Sequence, residues 1–306
     1  MRTTETHSVI VQDMDIYPEA DAVPPPLTSA DLAKSLHLSE ERLVSLLSSA
    51  EKSYNRFPLK CGRRRPRWIE APNPFLKHVQ RCLLDKILYT VVPHPSAHGF
   101  QPGRSIVSNA RMHSCREWVL SMDMKDFFPT TDIHMVEKML QEHFNFTQET
   151  IEAILRLTCR RNALPQGAPT SPHLANLVFM EGDRRLTAMA IEHGMTYTRY
   201  ADDMTFSGDT LPEDIEEQVE LIAQEAGYRI SRHKTRRMGQ HQCQKVTGLV
   251  VNEGVRLPRG KRRRLRAILN DVRKNGMDAA LARSGFRSAD ELSGHLALAR
   301  MVGTVQ

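Results

Sequence analysis

The 306-residue chain has no apolar run near the roughly 20 residues that a membrane helix needs, and its opening MRTTETHSVIVQDMD lacks the basic-then-apolar order of a signal peptide. Both absences predict a cytoplasmic protein with no membrane partner. Cysteine is scarce: Cys61, Cys82, Cys115, Cys159 and Cys243 are odd in number, widely spread and never form a C-x-x-C pair. That pattern argues against a disulfide framework and a thiolate zinc site, and predicts buried reduced thiols. In HPSAH, His94 and His98 stand four apart, but Pro93 and Pro95 exclude the helix that a metal pair at that spacing needs. No internal repeat is visible.

Acid is absent from RLPRGKRRRLR, residues 256–266, whereas Met1 to Asp21 carries Glu5, Asp13, Asp15, Glu19 and Asp21 against one Arg2. The whole chain has 42 Lys and Arg against 36 Asp and Glu, a net charge of +6. Positive charge concentrated late in the chain favours a polyanionic partner. The acidic, proline-containing residues 1–27 read as a flexible arm. Residues 28–53 read as a helical lead-in, with caps at Ser29 and Ser39 and apolar spacing at Leu43, Leu46 and Leu47.

From residue 54 the pattern changes. RFPLKCGRRRPRW predicts a basic β-hairpin, followed by an amphipathic helix over about 74–88. REWVLSMDM predicts a strand with Trp118, Leu120, Met122 and Met124 on one face and Val119, Ser121 and Asp123 on the other. LPQGAPTSPHLANLVF predicts a loop and then a helix capped by Ser171, with Pro172 at its first position. YTRYADDMTFSG predicts a hairpin, EDIEEQVELIAQEAG a helix, YRISRHKT a short strand and KVTGLVVNEGVRL further β-structure. The tail after Leu257 predicts helices. This order gives an α+β body over 54–255 and a basic helical end over 256–306.

Asp202 and Asp203 fit the tight turn of their hairpin, since neighbours in a regular strand face opposite ways. Two carboxylates there repel unless a cation lies between them. If the Asp123 strand neighbours that hairpin, three carboxylates converge, and such hard oxygen ligands suit Mg²⁺. Two ions about 4 Å apart would serve an in-line phosphoryl transfer. Taken singly, each acid is more often an ordinary turn or strand-end residue, and the case for a site rests on the three together.

The three stretches SMDMKDFFP, LPQGAPTSPHLANLVF and YTRYADDMTFS occur in the order found in the palm of reverse transcriptases, which residues 54–257 resemble. HGFQPGRSIVSNARMH and KVTGLVV are similar to marks of the bacterial retron enzymes: an N-A-x-x-H element at Asn109, Ala110 and His113, and a V-T-G triplet at Val246, Thr247 and Gly248. The resemblance implies a right-hand fold, with fingers and palm (an antiparallel sheet plus helices) over 54–255 and a short helical thumb over 256–306.

It further implies that Asp123 and Asp202 are the principal ligands of two Mg²⁺ ions, with Asp203 the third acid and Lys234 a general acid near the pyrophosphate. Arg65, Arg67 and Lys77 match the segment that reaches the triphosphate, where guanidinium groups suit phosphate. Phe128 matches the position beneath the sugar that excludes a 2′-hydroxyl, and fits a core aromatic equally well. Gln166 and Gly167 match the loop beside the incoming nucleotide. Asn109, His113, Val246, Thr247 and Gly248 are expected at the RNA or primer. Arg262, Arg263 and Arg264 are expected on the duplex backbone.

The implied partners are dNTPs, a structured noncoding RNA serving as primer and template, and its DNA product, with phage defence through an accessory effector. No region resembles a ribonuclease H domain, so template removal is expected from a separate host enzyme. Alternatives are a reverse transcriptase of the group II intron or diversity-generating kind, and a non-catalytic RNA-binding scaffold that sequesters an effector. The retron-type elements argue against the first, and the three acids against the second.

Overall fold

The computed structural model of the chain describes residues 25–61 and 64–303, and of residues 60, 61, 64 and 65 only the backbone. Most of the predicted acidic arm therefore lies outside the described residues. Its last residue is paired: Leu27 donates to Asn145 O and accepts from Thr147 N, bridging Phe146. Helices α1 (Ser29–Ser35) and α2 (Glu40–Ser49) follow. Thr28, not Ser29, caps α1, because a capping box closes between its hydroxyl and Asp31; Ser39 caps α2 as its position predicts.

Strands β1 (Tyr54–Cys61) and β2 (Arg64–Pro72) form the basic hairpin, and α3 (Pro74–Lys86) leaves it from an Asn73 cap. Short α4 (Ile106–Arg111) precedes β3 (Trp118–Asp123), then come α5 (Phe127–Thr130), α6 (Ile133–His143), α7 (Gln148–Thr158), α8 (Ser171–Val178) and α9 (Met180–Glu192). Ser171 lies inside α8 rather than capping it: its hydroxyl donates to Pro165 O, 2.8 Å away, which fastens the preceding loop instead. The hairpin β4 (Thr196–Tyr200) and β5 (Asp203–Gly208), helix α10 (Ile215–Glu225), β6 (Arg236–Gly239), and the small hairpin β7 (Lys245–Val246) and β8 (Leu249–Val250) complete the body. Helices α11 (Arg259–Asn275), α12 (Met277–Ser284) and α13 (Ala289–Met301) form the tail.

The central sheet is fully antiparallel in the order β4-β5-β3-β6. Its strand β3 is buried on both faces, which the alternation of Leu120 and Met122 with Val119 allows. Leu120, Met122 and Met124 enter a core with α6 to α10 that also takes in Leu32, Leu43, Leu76 and Ile154. The lead-in helices thus share one core with the body. Val119 enters a second core, where Met238, Val246 and Leu249 meet Leu265 and Ile268 of α11 and Leu292 of α13. Through that second core the tail helices are seated on the sheet.

The stretch predicted as a strand near YRISRHKT is mostly not one. Ile230 makes a single bridge to Met124, and a 3₁₀ turn over Arg232–Lys234 precedes β6. Ser231 N donates to Asp123 O and Lys234 N to Ser231 O, so the chain curls at the end of β3 instead of running beside it. The thiols also differ from expectation: Cys159 is buried and Cys82 half-buried, but Cys115 and Cys243 are exposed, all four free.

Candidate active site

Pairing between β3 and β5 sets Asp123 directly opposite Asp203, with Asp202 in the two-residue turn before β5. The turn is tied to β3 through Met124 N, which donates to Asp202 O at 2.9 Å. Lys234, brought round by its 3₁₀ turn, places Nζ 2.5 Å from Asp123 Oδ1. Lys234 is thus paired with Asp123, and its charge together with that of Arg67 also acts on Asp202 and Asp203. Shielding from water raises the pKa of Asp202, and the charge of Asp123 adds to it. The Asp203 carboxyl is pushed up to about 6, first by desolvation and then by Asp202 and Asp123, although the residue as a whole reaches the surface.

Such a cluster favours an added cation. Among the described residues no three acidic, His or Cys side chains close into a ready-made cage. The hard oxygen donors and their unbalanced charge fit Mg²⁺, which is commonly held by one or two carboxylates and takes its other ligands from water and phosphate.

A cleft of about 1330 Å³ opens beside Asp202, lined by Arg67, Trp68, Phe128, Gln166 and Lys234 among others. Four expected site residues, Arg67, Phe128, Gln166 and Lys234, thus meet one of the acids. Phe128 is half-buried, its ring 5.5 Å from Phe127 and 6.3 Å from Phe100, so it both lines the cleft and leans on the core. Gly167 is needed for a different contact from the one expected. Its φ is +134°, and a Cβ would come within 3.0 Å of Glu70 O and Ile69 Cγ2, where the loop packs on β2. Glu70 N also donates to Gln166 O at 2.8 Å.

Lys77 is exposed on α3 and does not line this cleft. The Arg65 side chain lies outside the described residues. Trp68, 48% exposed, and Arg229 and Arg232 in the cleft wall were missed in the sequence, where nothing separates them from other surface residues.

Asn109 and His113 are corrected from nucleic-acid contacts to interior ones. Both are fully buried. His113 Nδ1 meets Ser207 Oγ and its Nε2 meets Thr198 Oγ1, each at 2.7 Å, and Thr198 donates to Asn109 Oδ1. The pair braces β4 and β5 from behind, and burial lowers the His113 pKa to about 3. Val246 is likewise a core residue. Thr247 donates to Ile106 O at 2.9 Å, and with Gly248 it lines a second cleft of about 1070 Å³ that includes Tyr200, Asp203, Arg236 and Lys245.

On α11, Arg263 is exposed and Arg262 half-buried. Arg264 is engaged within the tail, donating to Ser284 O at 2.7 Å and lying over the Phe286 ring.

Residues 42–251 match the family described as reverse transcriptase (RNA-dependent DNA polymerase). That match begins inside α2, in keeping with the shared core. Among curated proteins the chain is 36% identical over 260 residues to the Retron Mx65 reverse transcriptase of Myxococcus xanthus, covering 78% of this chain and 59% of that protein. It is 35% identical to the Retron Mx162 reverse transcriptase of the same organism, covering 68% and 50%. To the Retron Ec86 reverse transcriptase of Escherichia coli it is 32% identical, covering 79% and 77%. The chain thus spans half to three-fifths of the length of the two Myxococcus relatives. A solved telomerase from Candida albicans, in complex with a fragment of telomeric RNA, overlaps 86% of this chain and 57% of its own at a TM-score of 0.46 and 13% identity. By its matched residues and its relatives, the chain belongs to the reverse transcriptase family, among the bacterial retron members.

Proposed function

We propose that the protein is an RNA-directed DNA polymerase of the retron type, copying a structured noncoding RNA into single-stranded DNA that stays joined to the RNA. The observation that carries this reading is the register of Asp123 against Asp203, with Asp202 at the mouth of a cleft that also holds Arg67, Phe128 and Gln166. Family membership and the retron relatives support it.

In this reading Asp123 and Asp202 hold two Mg²⁺ ions, with Asp203 as the third acid. When bound, the ions activate the attacking hydroxyl and stabilise the leaving pyrophosphate. Arg67 grips the triphosphate with a guanidinium suited to phosphate oxygens. Gln166 borders the incoming nucleotide, and Phe128 lies beneath its sugar, where a bulky ring excludes a 2′-hydroxyl. Lys234 supplies a proton from Nζ to the leaving pyrophosphate. The exposed cations of α11 hold nucleic-acid backbone without reading sequence. Synthesis starts from a 2′-hydroxyl of a guanosine within the RNA, a host ribonuclease H removes template, and the product serves phage defence together with an accessory effector protein.

The test is to express the gene with several hundred flanking bases and extract small DNA. A species that shifts in size after ribonuclease treatment, and is absent in Asp202→Asn/Asp203→Asn, is the expected result. Its absence, with primer extension on RNA retained by the purified protein, would keep the polymerase and discard the retron product. Absence of both would leave an RNA-binding scaffold.

A further inference from the structure

Strand β4 carries Arg199 just ahead of the acidic turn, and alternation sends its side chain inward with Tyr197. It is 0% exposed, among the largest fully buried side chains of the described residues. A guanidinium taken wholly out of water is costly unless its donors are met and its charge is paired. Both conditions hold. Nε and Nη2 form a two-pronged bond to Asp183 of α9, at 2.8 and 2.5 Å. Nη1 donates to Asn176 Oδ1 of α8 at 2.9 Å and to the backbone oxygen of Ala201 at 3.0 Å. The rings of Phe127 and Phe179 lie 5.3 and 5.1 Å from the guanidinium carbon.

The bond to Ala201 is the informative one. Ala201 is the first residue of the turn, and its φ of +58° lies in the left-handed region, which costs an alanine about 1 kcal/mol or more. Glycine is the usual solution at such a position. Here the conformation is held from outside. Ala201 O is taken by Arg199, and Asp202 O by Met124 N. Behind the turn, Asn176 Nδ2 donates to Gly99 O, and Gly99 lies so close that a Cβ there would stand 2.5 Å from Ala201 N. The backbone of Arg199 is fixed too, its oxygen accepting from His98 N and its nitrogen donating to Ser96 O.

We propose that Arg199 is a positioning residue for the acidic site: anchored on Asp183 and Asn176, it clamps Ala201 in its left-handed turn, so that Asp202 and Asp203 leave the turn toward Asp123. The geometric part stands on hydrogen bonds alone, and the consequence for metal binding rests on the polymerase reading. Lysine cannot replace it, because one ammonium on a flexible stem does not reproduce the planar fork that spans Asp183, Asn176 and Ala201 together.

The experiment measures Mn²⁺ affinity by electron paramagnetic resonance on the full chain without nucleic acid, and in parallel the Mg²⁺ concentration for half-maximal primer extension. Asp202→Asn/Asp203→Asn serves as the site control. Arg199→Lys is expected to remain folded by circular dichroism and to bind Mn²⁺ about tenfold more weakly. Adding Ala201→Gly, which adopts the turn without a clamp, is expected to recover at least part of that loss. A role confined to general stability would not give this recovery. Should Arg199→Lys fail to fold, Asn176→Leu removes one anchor and leaves the Asp183 pair, with an expected loss of about threefold. Unchanged Mn²⁺ affinity in the folded variants, or a loss that Ala201→Gly does not relieve, would overturn the proposal. Mn²⁺ binding that depends on Arg199 in a protein without DNA synthesis would fault the polymerase reading alone. DNA synthesis indifferent to Arg199 would fault this proposal alone.

Discussion

Asp123 and Asp203 stand directly opposite each other across β3 and β5, with Asp202 next along the chain in the turn. Like charges at opposed positions of an antiparallel pair destabilise it. Lys234 forms its ion pair with Asp123 and offsets the charge of the three acids only in part. The fold therefore carries an electrostatic burden at one end of its central sheet, and bound cations would remove it.

The first prediction is that this burden shows in stability. The Asp203 pKa is raised to about 6 from 3.8, so the folded state holds its proton more tightly than the unfolded state does. Stability from this group is then present below about pH 4 and lost as pH rises through about 6. Asp203→Asn is expected to raise the melting temperature of metal-free protein at pH 8 and to make no such difference at pH 4. Scanning calorimetry at both values checks it; equal effects at the two would contradict it. By the same linkage, protons compete with Mg²⁺, whose affinity should weaken as pH falls toward 6.

His113 gives a prediction of opposite sign. Its pKa is lowered to about 3 by burial, so the unfolded state takes up the proton first as pH falls below about 6.5. That costs about 1.4 kcal/mol of stability per pH unit below this point. Urea unfolding of wild type and His113→Gln at pH 7, 6 and 5 should show the variant less stable at pH 7 and the gap narrowing on acidification. A constant gap would mean that the ring is not held neutral.

Phe128 lines the cleft while leaning on the core. Phe128→Ala should admit ribonucleotides by removing the clash with the 2′-hydroxyl, read as the ratio of kcat/KM for dNTP over rNTP. Unchanged discrimination with a lowered melting temperature would assign the ring to the core alone.

The basic run on α11, exposed except at Arg262, divides by which side chains are already engaged within the tail. Arg259, Lys261, Arg263 and Arg266 are exposed, while Arg264 is engaged with Ser284 and Phe286. Changing those four to Gln should weaken RNA binding and reduce the slope of log affinity against log salt by up to about 3, since each neutralised phosphate of a single strand adds about 0.7 to that slope. An unchanged slope would mean that this face does not meet RNA.

How much of this was legible varies with the range of the interaction. The hairpin around Asp202 and the strand ending at Asp123 follow from alternation, and the helix that begins at Pro74 from its amphipathic spacing, all of which are local. The resemblance then joined the acids before any register was known. Long-range bonds left no such trace. Asn109 and His113 were expected at the RNA or primer through the resemblance, yet they are buried and meet Thr198 and Ser207, some 85 to 94 positions away. Arg199 reads as one more cation, and only Asp183, Asn176 and Ala201 make it part of the site. Lys234 was expected near the pyrophosphate, but a strand was expected to carry it; the 3₁₀ turn that brings it to Asp123 depends on Ser231 bonding the end of β3.

The most direct test of the account is primer extension by the purified protein on an RNA template with Mg²⁺ and dNTPs, wild type beside Asp202→Asn/Asp203→Asn, with RNA affinity measured on the same preparations. Wild-type synthesis that falls about a thousandfold or more in the variant, as the loss of several kcal/mol of metal-borne charge stabilisation requires, with RNA affinity unchanged, is the predicted result. Synthesis undiminished in the variant would contradict the assignment of the site.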